Sequence, residues 1–210
     1  MPPRRAKSRR EPPPPTTAPP RLAPRARGPS AAGGGPLSDV IVDRPRVLLV
    51  GINPGLRSGA TRHHFAGRGN PFWRLLHAAR LVPELLTPEE DERLAEFGLA
   101  LTNICPRVTR TAAELTAKEM ALGRRSLGRK IETLRPWVVA FVGLSVYQVF
   151  FGLKKSGGAG PKPERIAGAR VFVVPNPSGL NASYPGFADK LVWYDALRAF
   201  VDDALPSERR

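Results

Sequence analysis

Four apolar runs constrain what this chain can fold into: RVLLVGI at 46–52, GLALTNI at 98–104, PWVVAFVG at 136–143 and ARVFVVPNP at 169–177. Continuous apolar, β-branched runs of this length mark strands buried on both faces. Segments with helical grammar lie between and after them. NPFWRLLHAAR (70–80) opens with Asn as N-cap and Pro at the first helical position. TPEEDERLAEF (87–97) and TAKEMALGRRSLGRKIETL (116–134) open with the capping boxes Thr87–Glu90 and Thr116–Glu119. LSVYQVFFG (144–152) and FADKLVWYDALRAFVDDAL (187–205) complete the helical set. The alternation predicts an α/β fold with three layers, α/β/α, around a central, mainly parallel four-stranded sheet. In such sheets ligands bind beyond the carboxyl ends of the strands. INPG, TNI, GLS and NPSG all fall at those ends, so four polar or Gly-rich exits converge on one edge.

Composition narrows the partner. The chain has 210 residues and a formal charge of +15, which favours polyanions, nucleic acid first. Residues 1–36 are Pro-rich and hold eight Lys/Arg against one acid, so +7 falls there and +8 remains on the rest. Large apolar residues are almost absent from that stretch, so residues 1–38 read as a disordered basic tail and 39–210 as one folded domain. The tail is expected either to touch phosphates loosely or to be an inert solvated extension. One cysteine, Cys105, cannot form an internal disulfide or a four-cysteine metal site, and points to a reducing setting. No apolar run approaches the length of a membrane span, and no secretory signal opens the chain.

Several chemistries are excluded by motif. GINPGLRSG lacks the G-K-[ST] ending of a Walker loop and is not G-x-G-x-x-G. No G-x-S-x-G elbow occurs, and His63, His64 and His77 have no metal-ligand spacing. What remains is an amide, backbone groups and loops. Asn53 can hold a water but is no base, which suits a reaction whose transition state is already cationic, such as glycosidic cleavage through an oxocarbenium-like sugar. Phe65, in a Gly-rich loop, can stack on a flat base, and Leu180, at a loop tip among small residues, can wedge into a base stack. Together they describe an enzyme that extrudes a base. Taken singly, each has a structural reading: Asn53 as a turn former, Phe65 as satellite core, Leu180 as loop packing, His63–His64 as a surface or packing pair.

GINPGLRSG, HHFAGRGNPFWRLL, LTNI and VVPNPSGL resemble the mismatch-specific uracil/thymine DNA glycosylase family. That family spans the bacterial mismatch uracil glycosylases and the eukaryotic thymine DNA glycosylases. The likeness runs in order from about Arg46 to Leu205. Other branches of the superfamily carry an acid in the first motif or a histidine in the second, and one holds an iron–sulfur cluster. The resemblance implies the uracil-DNA glycosylase fold and excision of uracil, with thymine or modified pyrimidines as further bases, from mispairs with guanine. It assigns water positioning to Asn53, with Asn103 as a second catalytic candidate. Ile52, Gly55, Ser58, Phe65, Asn70 and Asn176 are expected to line the base pocket, with backbone N–H groups at Ile52 and Phe65 on pyrimidine oxygens and Ser58 on the C5 side. Ser178, Gly179, Leu180 and Asn181 are expected to contact DNA, Leu180 as the wedge. Asn181-Ala182 stands where some bacterial members place a basic residue. No cofactor or metal is implied. The expected partner is double-stranded DNA with G:U or G:T mispairs, the expected state a monomer. The expected place is the cytoplasm at the nucleoid in a bacterium, or the nucleus in a eukaryote. Two other classes fit the residues: a non-catalytic nucleic-acid-binding module of the same fold, and an enzyme acting on free nucleosides.

Overall fold

The computed structural model describes residues 37–155, 157–178 and 181–206. Of the tail read over residues 1–38, residues 1–36 lie outside the described residues, as does the wedge pair Gly179-Leu180.

Four parallel strands form where the apolar runs predict them: β1 (Val47–Gly51), β2 (Leu99–Asn103), β3 (Val138–Val142) and, later in the chain, β5 (Ala169–Val174). A further strand, β4 (Gly160–Ile166), makes the sheet five-stranded, with order β2-β1-β3-β5-β4. β4 runs antiparallel to β5. Its sequence, GPKPERI, hides it, because two prolines and three charges read as loop. Proline is nonetheless tolerated on an edge strand, and charges there discourage pairing with another chain. The β4–β5 turn places Ala167 (φ 49°) and Gly168 (φ 86°) in left-handed conformations, as the tight hairpin turn requires.

Burial alternates along the strands and builds two cores. Val47, Leu49, Leu101, Ala140 and Phe172 face α2 (Phe72–Ala78) and α5 (Phe187–Ala204), where Phe72, Leu75, Tyr194 and Leu197 are buried. Leu48, Val50, Val139, Phe141 and Val171 face α3 (Ala117–Leu134) and α4 (Leu144–Phe151), where Leu127, Ile131 and Tyr147 are buried. Helices therefore cover both faces, as a buried parallel sheet demands. The TPEEDERLAEF segment keeps its capping box, with Thr87 N–H on Glu90 Oε2 at 2.9 Å, but winds as a 3₁₀ stretch (Pro88–Phe97) kinked at Glu90. A six-residue helix, α1 (Leu56–Thr61), follows GINPG where the sequence suggests only a Gly-rich loop. Among the described residues no helix is long and apolar enough to cross a membrane.

Register aligns the strand exits. Gly51 lies opposite Asn103, and Val142 opposite Val174. The loops after β1, β2 and β5 consequently meet at one edge of the sheet.

Candidate active site

At that edge is a cavity of about 370 Å³. Its walls include Gly51–Ser58 from the β1 exit, His64, Phe65, Gly67 and Asn70 from the next loop, Asn103 and Thr109–Ala112 after β2, and Asn176 and Ser178 after β5. All eight residues expected at the catalytic and base-binding positions line it: Ile52, Asn53, Gly55, Ser58, Phe65, Asn70, Asn103 and Asn176. Ser178 lines it as well. Asn181 is not among the lining residues; its Nδ2 donates to the carbonyl of Asn176, which is, at 3.2 Å.

The Asn53 amide is held in one orientation. Its Nδ2 lies 2.9 Å from the Pro54 carbonyl oxygen, 3.3 Å from that of Arg107 and 2.7 Å from Thr109 Oγ1. Carbonyl oxygens only accept, so the group facing them is the amide NH₂. The Thr109 hydroxyl donates to the Thr111 carbonyl at 2.7 Å, leaving a lone pair for Asn53. Asn53 Oδ1 accepts no hydrogen bond from any described residue. It is the free acceptor of a fixed amide at the cavity wall. Thr109 is buried, and nothing in the sequence signalled it; its link to Asn53 crosses 56 positions of chain.

Phe65 is held in a strained backbone, φ 50°, uncommon for a bulky residue and typical of functional sites when it occurs. Its neighbours explain how. The His64 N–H donates to Asp91 Oδ2 at 2.9 Å, and the Ala66 N–H donates to Ser58 Oγ at 3.2 Å. Both flanking amides are thus pinned by buried side chains. One face of the Phe65 ring stacks on Phe72, with centroids 3.8 Å apart and planes 16° from parallel. The backbone N–H groups of Ile52 and Phe65 donate to no other described residue. Gly51 lets these parts meet, since a Cβ there would come within 2.4 Å of Asn103 Oδ1. Asn70 has a structural task as well: its Oδ1 accepts the Phe72 N–H at 3.0 Å and starts α2. Asn176 Oδ1 likewise accepts the Ser178 N–H at 2.9 Å and shapes the NPSG turn.

Asp91 also receives His63 Nδ1 at 3.2 Å. His64 is buried in the cavity wall, with Nε2 at 2.9 Å from the Ser38 carbonyl, so Nε2 carries the hydrogen. Burial pushes its pKa below the usual 6.5, outweighing the Ser38 carbonyl and the Asp91 charge. Below pH 6.5 the unfolded chain takes up a proton there that the folded chain resists. This contribution to stability is full above that pH and is lost as pH falls towards the depressed folded value. Between about pH 7 and pH 5.5 the parent's melting temperature should therefore drop more than that of His64→Gln, a difference thermal melts will read.

The family model described as the uracil DNA glycosylase superfamily matches residues 39–198. The chain belongs to this superfamily. Uracil DNA glycosylases are hydrolases of N-glycosyl bonds that act on DNA, and every described residue lining the cavity of this member except Leu37 falls inside the matched region. Among the described residues no Asp or Glu lines it. In this glycosylase the polar wall is built from amides, hydroxyls and backbone groups, with Arg57, Arg110 and the His64 imidazole beside them.

Proposed function

We propose that the chain is a monofunctional, mismatch-directed DNA glycosylase: it takes uracil out of the duplex and hydrolyses its bond to deoxyribose, preferring uracil opposite guanine. The observation that carries this reading is the fixed Asn53 amide, with Oδ1 unpartnered among the described residues, beside a stacking aromatic in a cavity that no carboxylate of those residues lines. A pyrimidine lying against Phe65 gains stacking of about 1–3 kcal/mol. As the C1′–N1 bond breaks, the base leaves as an anion, and the unpaired N–H groups of Ile52 and Phe65 suit its oxygens. Water held by Asn53 Oδ1 then adds to C1′ and releases its proton to solvent, while the base takes one up. An oxocarbenium-like sugar needs little activation of that water. Without a carboxylate the step lacks general-base help, typically worth about a hundredfold or more, so turnover is slow. Asn103, across from Gly51, is the second amide able to touch the water. Ser58 is small enough to leave room on the C5 side, which extends the range to thymine and other substituted pyrimidines. Guanine preference rests on the likeness of GINPG and NPSG to the mismatch-specific branch and on the loop Ser178–Asn181.

The test is excision from duplexes with one uracil opposite guanine or adenine, followed by alkali and a search for strand breaks. Breaks at G:U well above A:U are expected. Equal cleavage removes the mismatch assignment, and no cleavage on any substrate favours the non-catalytic binding module.

A further inference from the structure

The walls of the cavity differ sharply in charge. Residues 51–70 hold Arg57, Arg62 and Arg68 and no acid, and the turn after β2 adds Arg110. Residues 175–188, of which Asn176 and Ser178 line the other wall, hold no charged residue in their sequence. Arg57 and Arg110 line the cavity itself; Arg68 follows the lining residue Gly67, and Arg62 closes α1 two positions before His64. All four side chains are exposed, and none has a carboxylate partner among the described residues. Arg107, next along the chain, is different: its guanidinium is tied to Glu119 at 2.5 Å. The acids bonded to this wall are already engaged: Asp91 is buried and holds His63 and His64, and Glu114 accepts the Thr111 N–H at 2.9 Å.

A nucleotide inside the cavity stays bonded to a phosphate on either side, so its strand must cross the mouth. The opposite strand of a duplex lies beyond whichever loop fills the gap left by that nucleotide, here the uncharged wall. We propose that Arg57, Arg62, Arg68 and Arg110 form a phosphate grip on the strand that carries the excised base. The inference rests on the glycosylase reading above and adds a substrate class to it. Single-stranded uracil DNA is held by the same four arginines, because the grip needs no second strand.

Counterion release makes this countable. Each phosphate contact contributes about 0.7 to the slope of log Kd against log salt for a single strand and about 0.9 for a duplex. The probe is an oligonucleotide with one 2′-fluoro-deoxyuridine, whose fluorine resists cleavage, tested single-stranded and paired opposite guanine. In a protein with Arg57, Arg62 and Arg68 all changed to alanine, the slope should fall by about two units on the single strand and by nearly three on the duplex. Arg135→Gln, at the opposite end of the sheet where β3 begins, should leave it unchanged. An unchanged slope on the single strand, a loss confined to the duplex, or an equal loss in Arg135→Gln would each overturn the proposal. Cleavage of ordinary uracil DNA by the unaltered protein reads the glycosylase activity separately, so the two can fail independently.

Discussion

Asn53→Ala is expected to lower the single-turnover rate of uracil excision by about 10²–10³-fold, the loss typical of deleting one preorganised polar group at a reacting centre. Affinity for uracil-containing duplex should stay near the parent's, because Phe65, Ser178 and the arginines of the mouth are untouched. The measurement is a rate at saturating protein, with binding read on the uncleavable 2′-fluoro probe. Asn53→Asp makes the argument stricter. A carboxylate is the better base, yet its second oxygen would face the carbonyls of Pro54 and Arg107, where the amide NH₂ now donates. Acceptor against acceptor expels the side chain from its orientation, so Asn53→Asp should also fall well below the parent at neutral pH. Thr109→Val tests the same point from the other partner. It removes the hydroxyl that takes the Asn53 N–H at 2.7 Å and leaves two carbonyls to hold the amide, so the expected loss is smaller, about tenfold. If Asn53→Ala excises uracil at the parent rate, the water is held by something else and the proposed mechanism is wrong.

The sheet and the residues of its working edge were legible because burial dictates both. Strands covered on two faces must be apolar throughout, so RVLLVGI, GLALTNI, PWVVAFVG and ARVFVVPNP stand out, and a polar residue at their exits, such as Asn53 or Asn103, has little structural reason to be there. β4 was not legible, because an edge strand needs no apolar run, and its prolines and charges are the features that make an edge safe. The supports of the site were also hidden. Thr109 reaches Asn53, and Asp91 reaches His64, through hydrogen bonds between segments far apart in sequence, and a threonine in PRVTRTAAE or an aspartate in TPEEDERLAEF looks like a surface residue. Asp91 in particular reads as one more charge of an acidic stretch, yet it is buried and holds the amide next to the strained Phe65. Sequence pattern shows which residues face a cavity more readily than which residues hold them still.

Gly123→Ala and Gly128→Ala, five residues apart on one helix, should move stability in opposite directions. α3 crosses the sheet closely at Gly123: a Cβ there would lie 2.3 Å from the Ile104 carbonyl oxygen and 3.0 Å from its carbon. Both are backbone atoms just beyond β2, in the segment that leads to Thr109. They cannot rotate away as a side chain can, so α3 must lift or the exit of β2 must shift. Overpacking of this kind costs about 1–3 kcal/mol or more. For a domain of this size that is a fall of about 2–12 °C in melting temperature. The displaced segment also carries the turn that fixes Asn53, so excision should slow in the same variant even below its melting point. Gly128 has nothing within 4 Å of its would-be Cβ, so alanine there only removes the backbone entropy of a helical glycine. That is worth up to about 1 kcal/mol in favour of the fold, or a rise of about 2–4 °C, with excision unchanged. Thermal melts of the two proteins decide the matter: if Gly123→Ala is as stable as Gly128→Ala, α3 does not lie against the β2 exit as described.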